Sequence, residues 1–367
     1  MKLEKGELSS TQLMFLVAGF IQGSLLTLSF SKEVVKHDIW IAAIASFLLN
    51  LPLAFVYLTL ALKFPGQNLI QINDNIFGPY LGKLVSLQYI CLFFMIIAAN
   101  LWFVGDFIIT FFMPETPILV VMIMFTFICA WAVRAGIEVF ARMSFLLVLM
   151  TSLTALITFA LLLKDTKFSY FLPIFEVPIY DFLHGTHILM AIPFNEVFVF
   201  TMVIPYVNKL KQVKSSVLYG LIIGGITFLI VVIRNTAVLG PISNIVTSPS
   251  METVRLIDIG KIISRLEAIV AIAFLVTMFL KVAVFYYATV LGIAQLLKLR
   301  SYVPLVIPIG ILGIIIALSY ESSIQFIYTA TNTYPIFSLP FYVVLPVLSL
   351  LIAKLRKLPK QKERKAQ

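Results

Sequence analysis

Residues 187–205 read HILMAIPFNEVFVFTMVIP, an apolar stretch long enough to cross a bilayer. Pro193, Asn195 and Glu196 stand in the middle of this stretch. Proline lacks an amide hydrogen and clashes with the preceding helical turn, so the helix should kink or unwind there. A carboxylate at the bilayer centre costs about 2.5–3.5 kcal/mol on insertion scales, so Glu196 needs a partner, a proton or water. The stretch therefore predicts a broken membrane helix with a charge at the break.

The whole chain has the composition of an integral membrane protein. Of its 367 residues, 61% are hydrophobic and only 12% are charged, whereas soluble chains carry about 25% charged residues. A bilayer crossing needs about 20 apolar residues. The sequence predicts ten such spans, at about 10–31, 39–62, 84–108, 117–134, 142–163, 186–206, 214–235, 263–297, 303–320 and 335–354. We therefore expect an all-α, single polytopic membrane domain over residues 1–367.

The basic residues indicate how the spans are oriented. If the N-terminus is cytoplasmic, the cytoplasmic segments carry 18 Lys and Arg residues against 8 in the outer segments, with Lys281 inside a span left out. The positive-inside rule then places both termini in the cytoplasm, followed by a basic cytoplasmic tail at 355–367. The excess of basic residues therefore indicates how the protein is oriented in the membrane and that it contacts membrane lipid. It does not indicate a nucleic-acid partner.

A second break lies in the first span, SSTQLMFLVAGFIQGSLLTLSF (9–30). The triplet Gln22-Gly23-Ser24 is polar and weak in helix propensity. Each break falls in the first helix of a group of five, which predicts a 5+5 inverted repeat with repeat one at about 10–163 and repeat two at about 186–354. Discontinuous helices 1 and 6 should then meet around a cavity near the midplane. Two unrelated kinks are the alternative interpretation.

Three further stretches carry a resemblance to a known family: SSTQLMFLVAGFIQGSLL (9–26), DIWIAAIASFLLNLPLAFVYLTLALKFPGQNLIQI (38–72) and NTYPIFSLPFYVVLPVLSLLIA (332–353). With the stretch around Glu196, they resemble the permease-like B subunit of spore nutrient-germinant receptors, within the amino acid–polyamine–organocation superfamily. The resemblance implies a ten-helix fold of the leucine-transporter type. It also implies a nutrient sensor in the spore inner membrane that works with an A subunit and a lipoprotein C subunit.

The predicted ligand is a small zwitterion such as an amino acid. Its carboxylate would meet amides freed at the breaks, and its ammonium would meet Glu196 or bare carbonyls. The pocket side chains look small and apolar, which points to a small aliphatic ligand. The candidate ligand-binding residues are Gln22, Gly23, Ser24, Asn100, Phe103, Ile192, Phe194, Asn195 and Glu196. Asp106, one turn beyond Phe103, would either line a polar path or be solvated at the outer end of its span.

Lys281 lies near the middle of span eight, in AFLVTMFLKVAVFYYATV (273–290), and must face the bundle interior. In many transporters of the resembled fold the groove between helices one and eight holds sodium, which the Lys281 ammonium could replace. Lys281 could instead pair with Glu196, and either residue could carry a proton. Arg234 and Asn235 end span seven, where we expect the arginine to snorkel to the outer interface.

The sequence therefore favours a germinant-sensing membrane subunit. A proton-coupled amino acid transporter of the same fold is the alternative, and a water or ion channel is a third reading. We find no phosphate loop, no G-x-S-x-G and no H-E-x-x-H, and the two cysteines lack metal spacing, so neither an enzyme nor a cofactor or metal is predicted. The stretches 179–185 and 250–264, within the outer loops, are expected to form short interfacial helices, with a mobile loop as the alternative.

Overall fold

The structure, a computed structural model, describes residues 6–257 and 266–359. Within those ranges its regular secondary structure is helical, apart from one isolated parallel bridge between Leu8 and Val207. The α-helices are α1 (Ser10–Gln22), α2 (Ser29–Val35), α3 (Ile39–Lys63), α4 (Leu69–Phe77), α5 (Leu81–Phe111), α6 (Ile118–Arg134), α7 (Ile137–Leu161), α8 (Ile179–Leu189), α9 (Leu210–Leu239), α10 (Pro249–Arg255), α11 (Leu266–Leu296), α12 (Val303–Ala317), α13 (Ser323–Tyr328), α14 (Tyr334–Leu339) and α15 (Leu345–Leu355).

Seven segments of the described chain are long and apolar enough to cross a membrane. They are Ser10–Lys63, Leu81–Phe111, Ile137–Leu161, Ile179–Met202, Leu210–Asn244, Leu266–Leu296 and Ser323–Leu355. Two shorter apolar helices, α6 and α12, lie among them. Since each crossing needs about 20 apolar residues, this pattern is that of a multi-pass membrane protein.

The first broken helix runs from α1 to α2. Ser9 and Gln12 form a capping box that starts α1, with Ser9 N–H donating to Gln12 Oε1 over 2.7 Å. Regular helix ends at Gln22, and a 3₁₀ turn over Leu25–Leu28 leads into α2. A Cβ added to Gly23 would lie 2.6 Å from the Thr277 carbonyl oxygen, so glycine permits the close approach to α11. The break therefore falls at the predicted triplet.

The second broken helix is the segment Ile179–Met202. Here α8 gives way to a wide turn over Met190–Phe194, followed by a 3₁₀ helix over Asn195–Met202. Ile192 has non-helical dihedral angles (φ −126°, ψ 114°), next to Pro193. The backbone is therefore interrupted where the proline indicated.

The limits of the broken helices differ from the predicted spans. The stretch 179–185, expected as a separate interfacial helix, is the first half of α8, because Gly185 packs directly on Val35 and holds α8 against α2. The span expected at 186 thus begins at Ile179. The last segment, Ser323–Leu355, begins well before the predicted residue 335, since its polar residues are accommodated in a helix with two wide turns.

The first broken helix lies at the centre of the bundle, where α1 packs on α7, α9 and α11. The Phe20 ring contacts Phe200 and Phe285, with both centroid distances 5.3 Å. The Phe20–Phe200 pair is edge-to-face, and aromatic pairs of this kind add to the free energy of apolar burial. The two broken helices and α11 thus share one core.

One end of the bundle is joined by polar contacts. Leu8 N–H donates to the Tyr206 carbonyl over 2.8 Å, and Asn208 N–H donates to the Leu8 carbonyl over 2.9 Å. Arg356 Nη1 donates to the Ile76 carbonyl of α4 over 2.7 Å. The start of the chain, the loop after the second broken helix and the end of α15 thus close this end, which we call the basic end.

The opposite end gathers the long connections. Lys32 Nζ donates to the Val246 carbonyl, and Lys167 N–H donates to the Ala237 carbonyl over 2.8 Å. The short helix α10 covers this end and provides the first part of the helix expected over 250–264. The remainder of that expected helix, from residue 258, lies outside the described residues. We call this the loop end.

Candidate functional site

A cavity of about 180 Å³ lies beside both breaks. Its walls come from the two broken helices, α5, α11 and the segment Ser323–Leu355. Five of the residues selected from the sequence line it: Asn100, Phe103, Ile192, Glu196 and Lys281. The cavity reaches the protein surface between Met95 and Phe337, which are half-exposed. The breaks and the charged residues therefore adjoin one cavity that is open at one side.

The charged groups of this cavity form an ion pair. Lys281 Nζ lies 2.7 Å from Glu196 Oε2, and the two side chains are 1% and 2% exposed. The same ammonium donates to Ser24 Oγ over 2.6 Å and lies 5.9 Å from the centroid of the Phe20 ring. Lys281 thus links α11 to both broken helices at once.

Two tyrosines complete the surroundings of the carboxylate. Tyr334 OH donates to Glu196 Oε1 over 2.9 Å and lies 3.2 Å from Tyr342 OH. The Tyr342 carbonyl in turn accepts from Tyr57 OH over 2.6 Å. Each Glu196 oxygen therefore faces a polar group, as a buried carboxylate requires. Tyr334 is not among the residues predicted from the sequence; the polar run before Pro335 inside an apolar segment was the available signal.

Several residues selected from the first break lie outside the cavity lining. Gln22 Nε2 donates to Ser152 Oγ over 2.8 Å and to Thr227 Oγ1 over 3.0 Å, so its amide ties α1 to α7 and α9. Gly23 abuts the backbone of α11. Ser24 reaches the site only through its hydrogen bond with Lys281. A direct ligand contact by these three residues stays a prediction.

Two residues of the second break also lie elsewhere. The Phe194 ring packs between Phe47 and Phe228, with centroid distances of 5.6 and 5.5 Å. Asn195 Oδ1 accepts from Asn50 Nδ2 over 3.0 Å, which ties the break to α3. Both side chains hold the interrupted backbone in place, and their ligand role stays a prediction.

The residues selected on α5 separate along the helix. Asn100 Nδ2 donates to the Ile96 carbonyl over 2.7 Å, and the Phe103 ring stacks on Phe326 at 5.9 Å. Asp106 lies beyond the cavity lining, half-buried, and accepts from Ser323 Oγ over 2.8 Å. Asp106 therefore joins α5 to α13, and a polar path through it stays a prediction.

The cavity lining combines small side chains, as expected from the sequence, with six aromatic ones that were mostly not predicted. Its aromatic members are Phe30, Phe103, Tyr320, Phe326, Tyr334 and Phe337. They come mainly from α5 and the segment Ser323–Leu355. The residue pattern around the breaks does not show that these elements face the cavity. In the described ranges, no three His, Cys, Asp or Glu side chains come together as a metal site would require.

Arg234 is also placed differently from its prediction. Its side chain is fully buried and does not snorkel to the interface. Arg234 Nη1 donates to Thr158 Oγ1 over 2.6 Å, while Nε and Nη2 donate to Asn235 Oδ1. The loops of the loop end fold over the end of α9, so the guanidinium is covered.

An all-helical membrane bundle with two broken helices around a central cavity is the fold of a class of solved transporters. One is Mhp1, a nucleobase-cation-symport-1 family transporter with bromovinylhydantoin bound, which aligns with a TM-score of 0.68 over 89% of this chain and 75% of that chain at 12% identity. Another is MhsT in complex with L-phenylalanine, with a TM-score of 0.62 over 95% and 89% at 15% identity. The chain thus has the leucine-transporter-type fold.

Within this class the sequence identifies a family. Residues 7–325 match the family described as spore germination protein, and the chain belongs to it. The chain is 29% identical to spore germination protein KB of Bacillus subtilis (strain 168), over 99% of this chain and 98% of that protein. The resemblance seen in the sequence is confirmed: this is a multi-pass membrane protein of the germination family.

Proposed function

We propose that the chain is the membrane subunit of a spore nutrient-germinant receptor, and that it binds a small amino acid or similar nutrient in the cavity. The observation that carries this proposal is the Glu196–Lys281 ion pair, which lines the cavity directly beside the second break. Family membership supports the germination role. The cavity, the interrupted backbone and the paired charges support binding of a small charged ligand.

The pair offers both charges that an amino acid carries. The ligand ammonium takes the place of Lys281 at Glu196, and the ligand carboxylate takes the place of Glu196 at Lys281 or meets an amide freed at a break. Binding then exchanges one internal ion pair for two ligand contacts, so neither charge is left buried and alone. A buried charge that loses its partner is strongly destabilised, which makes a ligand with only one charge a poor occupant.

Lys281 serves as a fixed cation between α11 and the first broken helix. Its contact with Ser24 and the close approach of Gly23 to α11 support this role. An ammonium at that position takes the place of a coupling sodium ion. Ligand exchange at Glu196 shifts the Lys281 ammonium and so changes the contact between α11 and the first broken helix.

The cavity limits the size of the nutrient. Pockets for drug-sized ligands measure about 300–1,000 Å³, and this cavity measures about 180 Å³. Its aromatic walls favour a ligand with an apolar side chain. The nutrient is therefore a small amino acid with an aliphatic or compact aromatic side chain.

We further propose ten crossings arranged as two inverted repeats of five. Ser10–Lys63 has 54 residues and contains α1 and α3, so it accounts for two crossings. The other six long segments and the helices α6 and α12 supply the remaining eight. The basic end is cytoplasmic under the positive-inside rule, because Arg356 lies there and further basic residues follow it in the sequence.

The partners proposed are a germinant-receptor A subunit and a lipoprotein C subunit in the spore inner membrane. Ligand binding favours one arrangement of the two repeats, and a partner subunit reads that shift. The basic tail at 355–367 contacts anionic lipid or a partner subunit at the cytoplasmic face.

Binding of radiolabelled amino acids to the full-length protein in detergent tests the site. We expect at least one compact amino acid to bind, and Glu196→Gln to weaken its binding at least tenfold. Ala99→Trp fills the cavity while leaving the ion pair intact, and should abolish binding. Glu138→Gln, at an exposed pair with Arg142, is the matched control. Full affinity in both Glu196→Gln and Ala99→Trp would contradict the proposed site.

A proton-coupled amino acid transporter is the second candidate, and the fold shared with transporters favours it. In that case Glu196 or Lys281 carries the proton. Uptake into proteoliposomes with and without a pH gradient distinguishes the two functions. Gradient-driven accumulation supports transport and contradicts a sensor without turnover, whereas saturable binding without accumulation supports the receptor. Conductance measured on the same vesicles tests the channel reading.

A further inference from the structure

A groove on the surface of the bundle runs between α6 and α12. It measures about 630 Å³, and none of its described lining residues belongs to the nutrient cavity. Pockets for drug-sized ligands measure about 300–1,000 Å³. The groove is therefore large enough to hold a molecule of that size.

The α6 wall of the groove is one face of that helix. The lining residues Ile123, Phe127, Ala130, Trp131 and Arg134 follow one another at helical spacing. Ile123 and Arg134 are 11 residues apart, which corresponds to about 16 Å of helix at a rise of 1.5 Å per residue. Half of the hydrocarbon core of a bilayer is about 15 Å thick. The groove thus has the length of one leaflet.

The opposite wall is apolar and closely packed on the core. Ile307 and Ile311 of α12 face the groove, and each side chain is 53% exposed. Gly310 lies between them, and a Cβ there would overlap the hydroxyl group of Tyr286 on α11. That hydroxyl group donates to the Val306 carbonyl. The glycine therefore lets α12 pack against α11, and both isoleucine side chains stay at the surface.

One end of the groove carries a positive charge at the basic end of the bundle. Arg134 is the last residue of α6, and its side chain is exposed. Shortly after it, the Phe140 ring lies 6.3 Å from the Tyr287 ring, which lies 6.4 Å from the ring of Tyr206 at the basic end. Trp131, 68% exposed, precedes the arginine by one turn, and tryptophan is enriched at membrane interfaces. The guanidinium therefore lies at the level of the lipid headgroups.

We propose that the groove between α6 and α12 binds one phospholipid with an anionic headgroup. One acyl chain lies along the groove between Phe127 and Ile311, and the Arg134 guanidinium donates to the phosphate, for which its planar fork is suited. A zwitterionic headgroup binds less well, because its own cation competes with the arginine. A partner's transmembrane helix would need a matching surface across both leaflets, so the length of the groove favours a lipid. The site takes α6 and α12 as two of the proposed crossings and does not depend on the nutrient.

The fluorescence of Trp131 tests this site in the full-length protein. The sequence has two other tryptophans, Trp40 and Trp102, so replacing both with phenylalanine leaves Trp131 as the reporter. The protein is placed in vesicles of phosphatidylcholine and phosphatidylglycerol at a fixed ratio, with quenching bromine atoms on the acyl chains of one lipid or the other. We expect phosphatidylglycerol to bind beside Trp131 about fivefold more tightly than phosphatidylcholine, as one basic residue near a membrane surface provides.

Variants of this reporter protein identify the groups responsible. Arg134→Gln should make the two lipids equal, whereas Arg142→Gln, which removes an exposed cation early in α7, should keep the preference. Ala130→Phe fills the groove and should also abolish the preference. All three variants should bind the nutrient as the reporter protein does, so failure of the lipid site is distinguishable from failure of the nutrient site.

Three results would overturn the proposal. The first is equal binding of the two lipids beside Trp131 in the unmodified groove. The second is a preference for phosphatidylglycerol that survives Arg134→Gln. The third is weak quenching by both brominated lipids together with cross-linking of the chain into dimers through the groove, which would assign the groove to a second copy of the chain.

Discussion

Lys281 and Glu196 meet with their charged atoms 2.7 Å apart, one on α11 and the other just past the break in the second broken helix. Both side chains are almost completely buried. Such a pair is weak evidence for stability, because desolvation offsets most of its Coulomb energy. Both residues line the cavity, and this position supports the proposed binding of a ligand that replaces each charge.

Removing one charge of this pair should destabilise the protein much more than removing both charges. We expect Lys281→Met and Glu196→Gln each to lower the free energy of unfolding by about 3–5 kcal/mol, and the double variant to recover most of that loss. Thermal unfolding in detergent measures the three variants, with Arg255→Gln at an exposed pair as the control. Additive losses in the double variant would show that the two charges do not compensate each other.

The hydroxyl group of Tyr334 should contribute more to nutrient affinity than that of Tyr320, although both side chains line the cavity. Tyr334→Phe removes a hydrogen bond to the Glu196 carboxylate, and hydrogen bonds to charged groups contribute about 1.5–3 kcal/mol. We expect nutrient affinity to fall about tenfold or more, as measured by ligand binding. Tyr320→Phe should leave the affinity within about twofold. Equal effects of the two variants would contradict a special role for Tyr334.

Gly23 should not tolerate even a methyl group. Its Cβ would lie 2.6 Å from the Thr277 carbonyl oxygen and 2.9 Å from Lys281 Cβ, so Gly23→Ala must push α1 away from α11. Overpacking of this kind costs about 1–3 kcal/mol. In Gly313→Ala the nearest atom would be 3.5 Å away, so this helical control should be neutral or slightly stabilising. Unfolding temperatures compare the two, and a neutral Gly23→Ala would refute the close contact.

A substitution at Gln22 can show whether this side chain has a structural role or contacts the ligand. Its amide bridges Ser152 and Thr227, so Gln22→Leu should lower the unfolding temperature while leaving the nutrient affinity of the folded protein unchanged. Thr59→Ala, which removes a hydroxyl bonded only to the Phe55 carbonyl of its own helix, is the control. A tenfold loss of affinity in folded Gln22→Leu would instead support the contact predicted from the sequence.

The positions of the breaks could be predicted from the sequence because their causes are local. Proline removes a donor wherever it stands, and Gly23 in an apolar span marks a close approach. The pairing of Glu196 with Lys281 was one of several predicted possibilities, because the cost of burial requires that each charge has a partner. Local chemistry thus located the centre of the site.

The rest of the site depends on which helix faces pack together. Tyr334 reaches Glu196 only because the segment Ser323–Leu355 lies against the second broken helix. The spacing of residues along the chain does not indicate that contact. Gln22 was predicted to bind the ligand because it adjoins the break; that contact stays a prediction, and its amide nitrogen donates to residues of α7 and α9. Arg234 stands near the end of an apolar span, where an arginine usually snorkels to the interface. That its side chain is covered is seen only once the loops above it are folded.

The backbone of Leu8 is paired with the backbone of Tyr206 and Asn208 by two hydrogen bonds. These two hydrogen bonds connect the beginning of α1 to the residues that follow the second broken helix, so the two helices cannot separate at the basic end without opening both. At about 0.5–1.5 kcal/mol each, they form a threshold of about 1–3 kcal/mol. That range equals the coupling energy typical of allosteric ligands. If the proposed receptor signals by separating the two broken helices at this end, a ligand with that coupling energy suffices to open both hydrogen bonds.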